Sequence, residues 1–320
     1  MKRAIFYGKL CVGFGFLVLL FYFGILNIHD IAFIFFHPLN LVAAIVLVFA
    51  GMPLTAVRWR LLLNAQGISI TFYNALKLTL VAGFFNVFLL GGVGGDGVRL
   101  WMAARILKGP FSRVAASAAV DRIFGLEALL LVAALSCLGR LPSANDAPFL
   151  IHLAQIVSLV AAGGLVGPMV VLALGRRPLA VALLARLEQC GKLGAFVAQL
   201  CDSFILYRQY PGKLAYALGL SLVGHACMVV GFTLLAAPVG SALTLWDYGF
   251  VLSVTQVASC FALIPGALGV SEGIFGYLTA LLAHSPSSLA NLFFGFRVVT
   301  ALATAPGALV WLTSPFRQAK

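Results

Sequence analysis

Apolar runs of about twenty residues recur from one end of this chain to the other, and such runs leave few folds open to it. Each run is long enough to cross the hydrocarbon core of a bilayer as a helix, and a soluble domain cannot hide so many of them. Hydrophobic residues make up 62% of the 320 and charged residues only 9%, with a mean hydropathy of +1.07. The expected fold is an all-α integral membrane protein forming a single membrane domain, 1–320. The net charge of +12 would suggest nucleic acid in a soluble chain. Here it must be read loop by loop, and no nucleic-acid partner is expected.

The loops give a topology by the positive-inside rule. Lys2, Arg3 and Lys9 hold the amino terminus in the cytoplasm. The segment Ile5 to Leu26 is too long for a signal-peptide core and has no small-residue cleavage site after it, so it reads as a retained helix. The loop to Pro38 lacks Lys and Arg and lies outside. Leu39 to Val57 returns to Arg58, Trp59 and Arg60, read as a basic and aromatic anchor at the inner face. Phe72 to Lys108 is apolar but ends in Arg99, Arg105, Lys108 and Arg113, so it enters and leaves on the cytoplasmic side as a re-entrant hairpin. Two full crossings are the alternative, but Asp96 to Lys108 spans only about 20 Å as a helix, against a core of about 30 Å. Val114 to Leu138 then runs outward to Arg140, and Phe149 to Leu174 comes back to Arg176 and Arg177. Residues 175–213 are basic and amphipathic, suited either to the inner membrane surface or to an ordinary cytoplasmic loop. Leu214 to Ala237 crosses outward, carrying His225. Gly249 to Leu282, broken by Pro265, Gly266 and Gly269, forms a second hairpin open to the outside, and Ala290 to Trp311 delivers Arg317 and Lys320 to the cytoplasm. The map has about six full transmembrane helices plus two re-entrant hairpins, or eight helices if the hairpins cross. It places eighteen of the twenty-one Lys and Arg residues inside, and both termini are cytoplasmic.

The order helix, helix, hairpin, helix occurs twice with opposite entry, as in an inverted repeat with halves 1–140 and 149–315. One bend leads into Asp96-Gly97 and the other into Glu272-Gly273. Arg122 follows the first acid and Arg297 the second at nearly equal spacing. Acids and arginines inside apolar helices are costly and mark candidate sites. Guanidinium grips phosphate through two parallel hydrogen bonds, which makes Arg99, Arg122 and Arg297 candidate phosphate ligands. The competing structural readings are ion pairs, Arg122 with Asp121 or Glu127 and Arg297 with Glu272, and for Arg99 snorkelling to the inner interface. The run GVGGDG satisfies the dinucleotide GxGxxG pattern but follows no strand, so it is read as a bend whose open N–H groups suit an anion. His225 reads as a packing residue or a proton carrier. The cysteines, Cys11, Cys137, Cys190, Cys201, Cys227 and Cys260, show no CxxC spacing and read as small buried hydrophobes. No catalytic motif and no metal-ligand cluster is present, and no cofactor is expected.

The stretches GGVGGDGVR, ASAAVDRIFGL and IPGALGVSEG, with the FR of the last helix, resemble the transmembrane region of the lysylphosphatidylglycerol synthases, a flippase-like family. The similarity covers roughly Leu39 to Leu312. By position Asp96, Arg99, Asp121, Arg122, Pro265, Gly269, Glu272 and Arg297 match its motif residues and become the candidate substrate-binding set. The first bend lacks a proline often found there, and Ala267 stands where a further glycine is common. The resemblance implies a bacterial or archaeal inner-membrane protein that moves or helps to process an anionic or glycosylated lipid. The aminoacyl-transferase domain of the full synthases is absent from these residues, so no aminoacylation is expected. The first functional reading is a lipid translocase for an anionic phospholipid or phosphate-linked glycolipid. A second is an integral-membrane enzyme of polyprenyl-phosphate, glycolipid or hopanoid-type lipid metabolism, with Asp96 or Glu272 as general base. A third is an accessory partner of a lipid-modifying enzyme.

Overall fold

A computed structural model describes residues 36–88, 94–107, 109–140, 147–174, 191–262, 267–283 and 289–313. Outside them lie the first apolar segment, both termini, Arg176 and Arg177, Cys11 and Cys190, the tip of the first bend and Pro265. Every regular element among the described residues is helical: α1 (Pro38–Ala65), α2 (Phe72–Phe88), α3 (Gly94–Ile106), α4 (Phe111–Gly139), α5 (Pro148–Leu174), α6 (Gly191–Leu206), α7 (Pro211–Ala236), α8 (Leu245–Cys260), α9 (Val270–Ala283), α10 (Ala290–Thr304) and α11 (Pro306–Thr313). α1, α4, α5, α7 and the α10–α11 stretch are long and apolar enough to span a membrane. The chain is an all-α, multi-pass membrane protein.

α2, α3, α8 and α9 are shorter, at 17, 13, 16 and 14 residues, or about 20–25 Å each. They form two helical hairpins. The Gly95 N–H donates to Asn86 Oδ1 at 2.8 Å, fastening the start of α3 to the end of α2. Ser259 and Ser271 hydroxyls lie 2.6 Å apart and join the end of α8 to the start of α9. The first hairpin packs against α1 and α11 and the second against α7, both also touch α4 and α10, and α1 lies along α7, with α4 against α7 and α10 against α1.

The two ends of the bundle differ in chemistry. Lys77, Arg105, Arg113 and Lys213 gather at one end. There Lys77 sits over Tyr73, Arg105 over Trp101 and Lys213 over Tyr210, and the Arg113 guanidinium donates to the Gln66 carbonyl. α6 docks at this end: Gln66 Nε2 donates to the Ser203 carbonyl at 2.6 Å and the Tyr207 hydroxyl to the Leu62 carbonyl at 3.1 Å. The described part of 175–213 is thus a helix held against α1 and α4 and not a loose loop. At the opposite end Thr244 and Asp247 form a capping box that starts α8, and Asp247 also pairs with Arg140 at 2.7 Å. That pair places the end of α4 beside the start of α8, on one side of the bundle as the charge map expects.

Three expectations need correction. α1 does not stop near Val57 but continues to Ala65, because Leu61 to Ala65 offers good helix formers and no breaker. Arg58 and Trp59 are therefore buried and are not interface anchors; of the three only Arg60 is exposed. The last segment is split after Thr304, where Pro306 brings no N–H for the ladder.

Gly95 has no room for a side chain, since a Cβ there would meet the Ala82 carbonyl oxygen, whereas one at Gly97 would meet nothing within 4 Å. Gly95→Ala is expected to destabilise the protein by about 1–3 kcal/mol, the usual cost of overpacking. Gly97→Ala should leave stability within about 0.5 kcal/mol. Thermal unfolding of the two variants in detergent checks the contrast.

Candidate functional site

Asp121 lies ten residues into α4, and Ser221 ten residues into α7, both helices starting at the basic end. That is about 15 Å deep, half of a bilayer core of about 30 Å. At this depth a charge must be paired. Asp121 is paired twice: Arg58 Nε meets Oδ1 at 2.6 Å and Arg99 Nη2 meets Oδ2 at 2.8 Å. Arg58 also donates to the Ser221 hydroxyl at 2.6 Å, so α1, α3, α4 and α7 converge on one carboxylate. Arg99 reaches Asp96 at 3.2 Å in the first turn of α3, and Asp96 in turn pairs with Arg122. The result is an alternating series, Arg58, Asp121, Arg99, Asp96, Arg122.

Burial is deepest at Asp121 and Arg99 and falls toward Arg122. Arg99 is 2% exposed and packs against the Trp59 ring, 4.6 Å from its centroid, a cation–π contact that replaces part of its lost hydration. The Trp59 indole is itself held by a hydrogen bond from Nε1 to the Ser117 hydroxyl at 3.2 Å. The Arg122 side chain remains 34% exposed. Arg99 does not snorkel, and Arg122 pairs across helices with Asp96. Glu127 instead faces α5, packed on Gly164.

The second hairpin carries a smaller arrangement. Glu272, fully buried in the first turn of α9, pairs with Arg297 of α10 through Oε1 and accepts the Gly269 N–H at 2.6 Å through Oε2. Arg297 also donates from Nη2 to the Ala267 carbonyl at 3.0 Å. Ala267 and Gly269 have φ of 51° and 81°. Glycine adopts that conformation freely and alanine does not, so Ala267 is a strained alanine whose carbonyl binds Arg297. Pro265 lies outside the described residues.

Between the hairpins is a cavity of about 410 Å³. Asp96, Arg99, Asp121 and Arg122 line it from one side, and Ala267, Ser271 and Arg297 from the other. Thr55, His225, Gln256 and Ser259 add a neutral polar wall. Glu272 is behind Arg297 and is not part of the lining. His225 Nε2 donates to the Gly125 carbonyl at 3.1 Å, which ties α7 to α4 while its ring faces the cavity. Two independent stretches of sequence thus meet at one chamber.

Arg58 was the functional residue hardest to recognise from sequence. The signal was helical phase: apolar Leu62 and Ala65 share its face, while Arg60 points the other way. The two hairpins also differ in a way that their matched acids and arginines conceal. Three residues after the acid stands Arg99 in one and Phe275 in the other. Before the downstream arginine stands Asp121 in one and Phe296 in the other. Phe275 and Phe296 each contact Phe232 of α7 at a ring-centroid distance of 5.1 Å. An aromatic triplet thus stands where the first hairpin has Arg58, Asp121 and Arg99.

The model of the family described as Lysylphosphatidylglycerol synthase TM region matches residues 8–307, which takes in both hairpins, all the candidate residues and most of the first apolar segment. No curated protein and no solved structure matches the chain.

Removing the shared carboxylate leaves two buried guanidinium groups facing each other. Asp121→Ala is expected to cost about 3–5 kcal/mol of stability. Arg122→Ala, at the exposed end of the series, should cost about 1 kcal/mol. Thermal unfolding of the purified variants in one detergent gives the comparison, and equal losses would contradict this order.

Proposed function

Because the chain belongs to the lysylphosphatidylglycerol synthase TM region family, we propose that it is a lipid translocase for an anionic phospholipid or phosphate-linked glycolipid. The observation that carries this reading is the cavity between the two hairpins, polar and arginine-bearing at mid-bundle depth inside an otherwise apolar protein. Its volume lies within the range of small-ligand sites. Arg122 of α4 and Arg297 of α10, each paired with the acid of one hairpin, meet the headgroup phosphate from opposite sides of the cavity, joined by Arg99 at its wall, while the acyl chains remain in the bilayer. Asp96 and Glu272 orient these arginines.

The short hairpin helices support re-entrant segments, each entering and leaving on its own side, and the matched Asp96–Arg122 and Glu272–Arg297 pairs support an inverted repeat. In such a design the two hairpins rock against one central site, so access alternates between leaflets. The positive-inside rule supports a cytoplasmic basic end of the bundle, and the family supports a prokaryotic inner membrane. A general-base role for Glu272 is disfavoured by the geometry, since its two oxygens are taken up by Arg297 and the Gly269 N–H and neither lines the cavity.

Protein reconstituted in vesicles with a trace of tail-labelled phosphatidylglycerol is expected to make the inner-leaflet label accessible to an external quencher. Arg122→Gln and Arg297→Gln should each slow this by about tenfold or more while the protein remains folded. Unchanged rates in both variants would overturn the reading.

A further inference from the structure

Glu127 belongs neither to the ion series nor to the lining of the cavity. We infer that it is a proton-binding site inside the membrane, a carboxyl held as the neutral acid at the contact between α4 and α5, whose ionisation works against that contact. Glu127 stands sixteen residues from the start of α4 and twelve from its end, so about 18 Å of helix or more separates it from either end. The residue is buried, at 5% exposure, and its Oε1 has no hydrogen-bond partner. The carboxyl fills the space that a side chain at position 164 would need, which seats it on the backbone of α5. Within one turn on α4 stand Ile123, Phe124, Leu130 and Leu131, and within one turn of Gly164 on α5 stand Val160, Ala161 and Gly167. The surroundings are apolar on both helices.

Among the described residues no cation pairs with this carboxyl. On α5 the titratable group is His152, twelve residues from Gly164, whose Nδ1 is bonded to the Pro148 carbonyl. On the other helices against α4, Arg58, Asp96 and Arg99 are engaged in the ion series with Asp121 and Arg122. His225 is bonded to the Gly125 carbonyl, Asp247 holds Arg140, Cys260 lines the cavity and Asp202 of α6 is exposed. An ionised carboxylate at Glu127 has neither water nor counter-ion, and such a group gives up its charge instead. The chemistry of α5 points the same way. A glycine brings no side chain, and helical N–H groups are committed to their own ladder, so what remains is the second lone pair of the carbonyls. A protonated acid can donate its O–H to such an acceptor, and a carboxylate cannot. On losing its proton the group becomes a bare charge at mid-membrane depth, which favours parting α5 from α4 to admit water or a cation. The site stands apart from the cavity, and its proton does not depend on the cavity moving lipid.

Infrared spectroscopy of the purified protein tests the assignment. At pH 7.5 a solvated glutamate, with a pKa of about 4.3, is ionised. A C=O stretching band of a carboxylic acid, shifted downward in D2O, therefore marks a buried acid that keeps its proton. The protein should show this band, and Glu127→Gln should lose it. The second measurement is thermal unfolding in detergent from pH 5 to pH 8. The folded protein keeps a proton that the unfolded chain releases above about pH 4.3, so its stability falls as the pH rises. Relative to Glu127→Gln, which cannot ionise, the folded-to-unfolded ratio should fall by up to about tenfold per pH unit. If that variant does not fold, Glu127→Leu, an apolar side chain in apolar surroundings, takes its place in both measurements. Absence of the band from the unmodified protein at pH 7.5, its survival when Glu127 is replaced, or parallel pH profiles of protein and variant would each overturn the assignment.

Discussion

The carboxylate of Asp121 holds this structure together where it is most expensive to do so. Two guanidinium groups from different helices share it, at 2.6 and 2.8 Å, and one of them carries the contact on to Ser221 of a fourth helix. In a bilayer the desolvation of these groups is offset only while all of them stay in place. The pairing therefore fixes α1, α3, α4 and α7 relative to one another. Helix packing in lipid lacks the usual hydrophobic drive, which makes a polar junction of this kind the natural organiser of the bundle. The cavity exists because the junction stops short of the second hairpin.

The two hairpins solve similar problems with different chemistry. Each starts its second helix with an acid that the helix dipole favours, and each acid captures an arginine from the next helix. One then extends into an ionic series, while the other closes with Phe232, Phe275 and Phe296 packed ring against ring. The two hairpins thus share a helical arrangement and differ in electrostatics. The cavity between the hairpins is lined by charge mainly from one direction, and Arg297 lines it from the other.

Much of this was legible in the sequence, and for physical reasons. Apolar length sets the membrane helices, and scarce charge beside glycine picks out Asp96, Arg99, Arg122, Glu272 and Arg297. The nearly equal acid-to-arginine spacing matches the Asp96–Arg122 and Glu272–Arg297 pairs now seen. The role of Arg58 was hidden because an arginine near the end of an apolar run is indistinguishable from a snorkelling anchor until its helix is known to continue. The partners of Asp121 were hidden as well, since both come from other helices and no local spacing reports them. The aromatic triplet carries no local signal in an apolar chain, and only its placement opposite the ionic series gives it meaning.

The central claim is that a lipid phosphate is held by the arginines of the cavity between the hairpins. A cryo-EM structure of the protein in nanodiscs containing phosphatidylglycerol tests it most directly. The account predicts headgroup density in the cavity, with the phosphate within hydrogen-bonding distance of Arg122 and Arg297 and the acyl chains leading out to the bilayer. A cavity holding only water, with ordered lipid confined to the outer faces of the bundle, would contradict it.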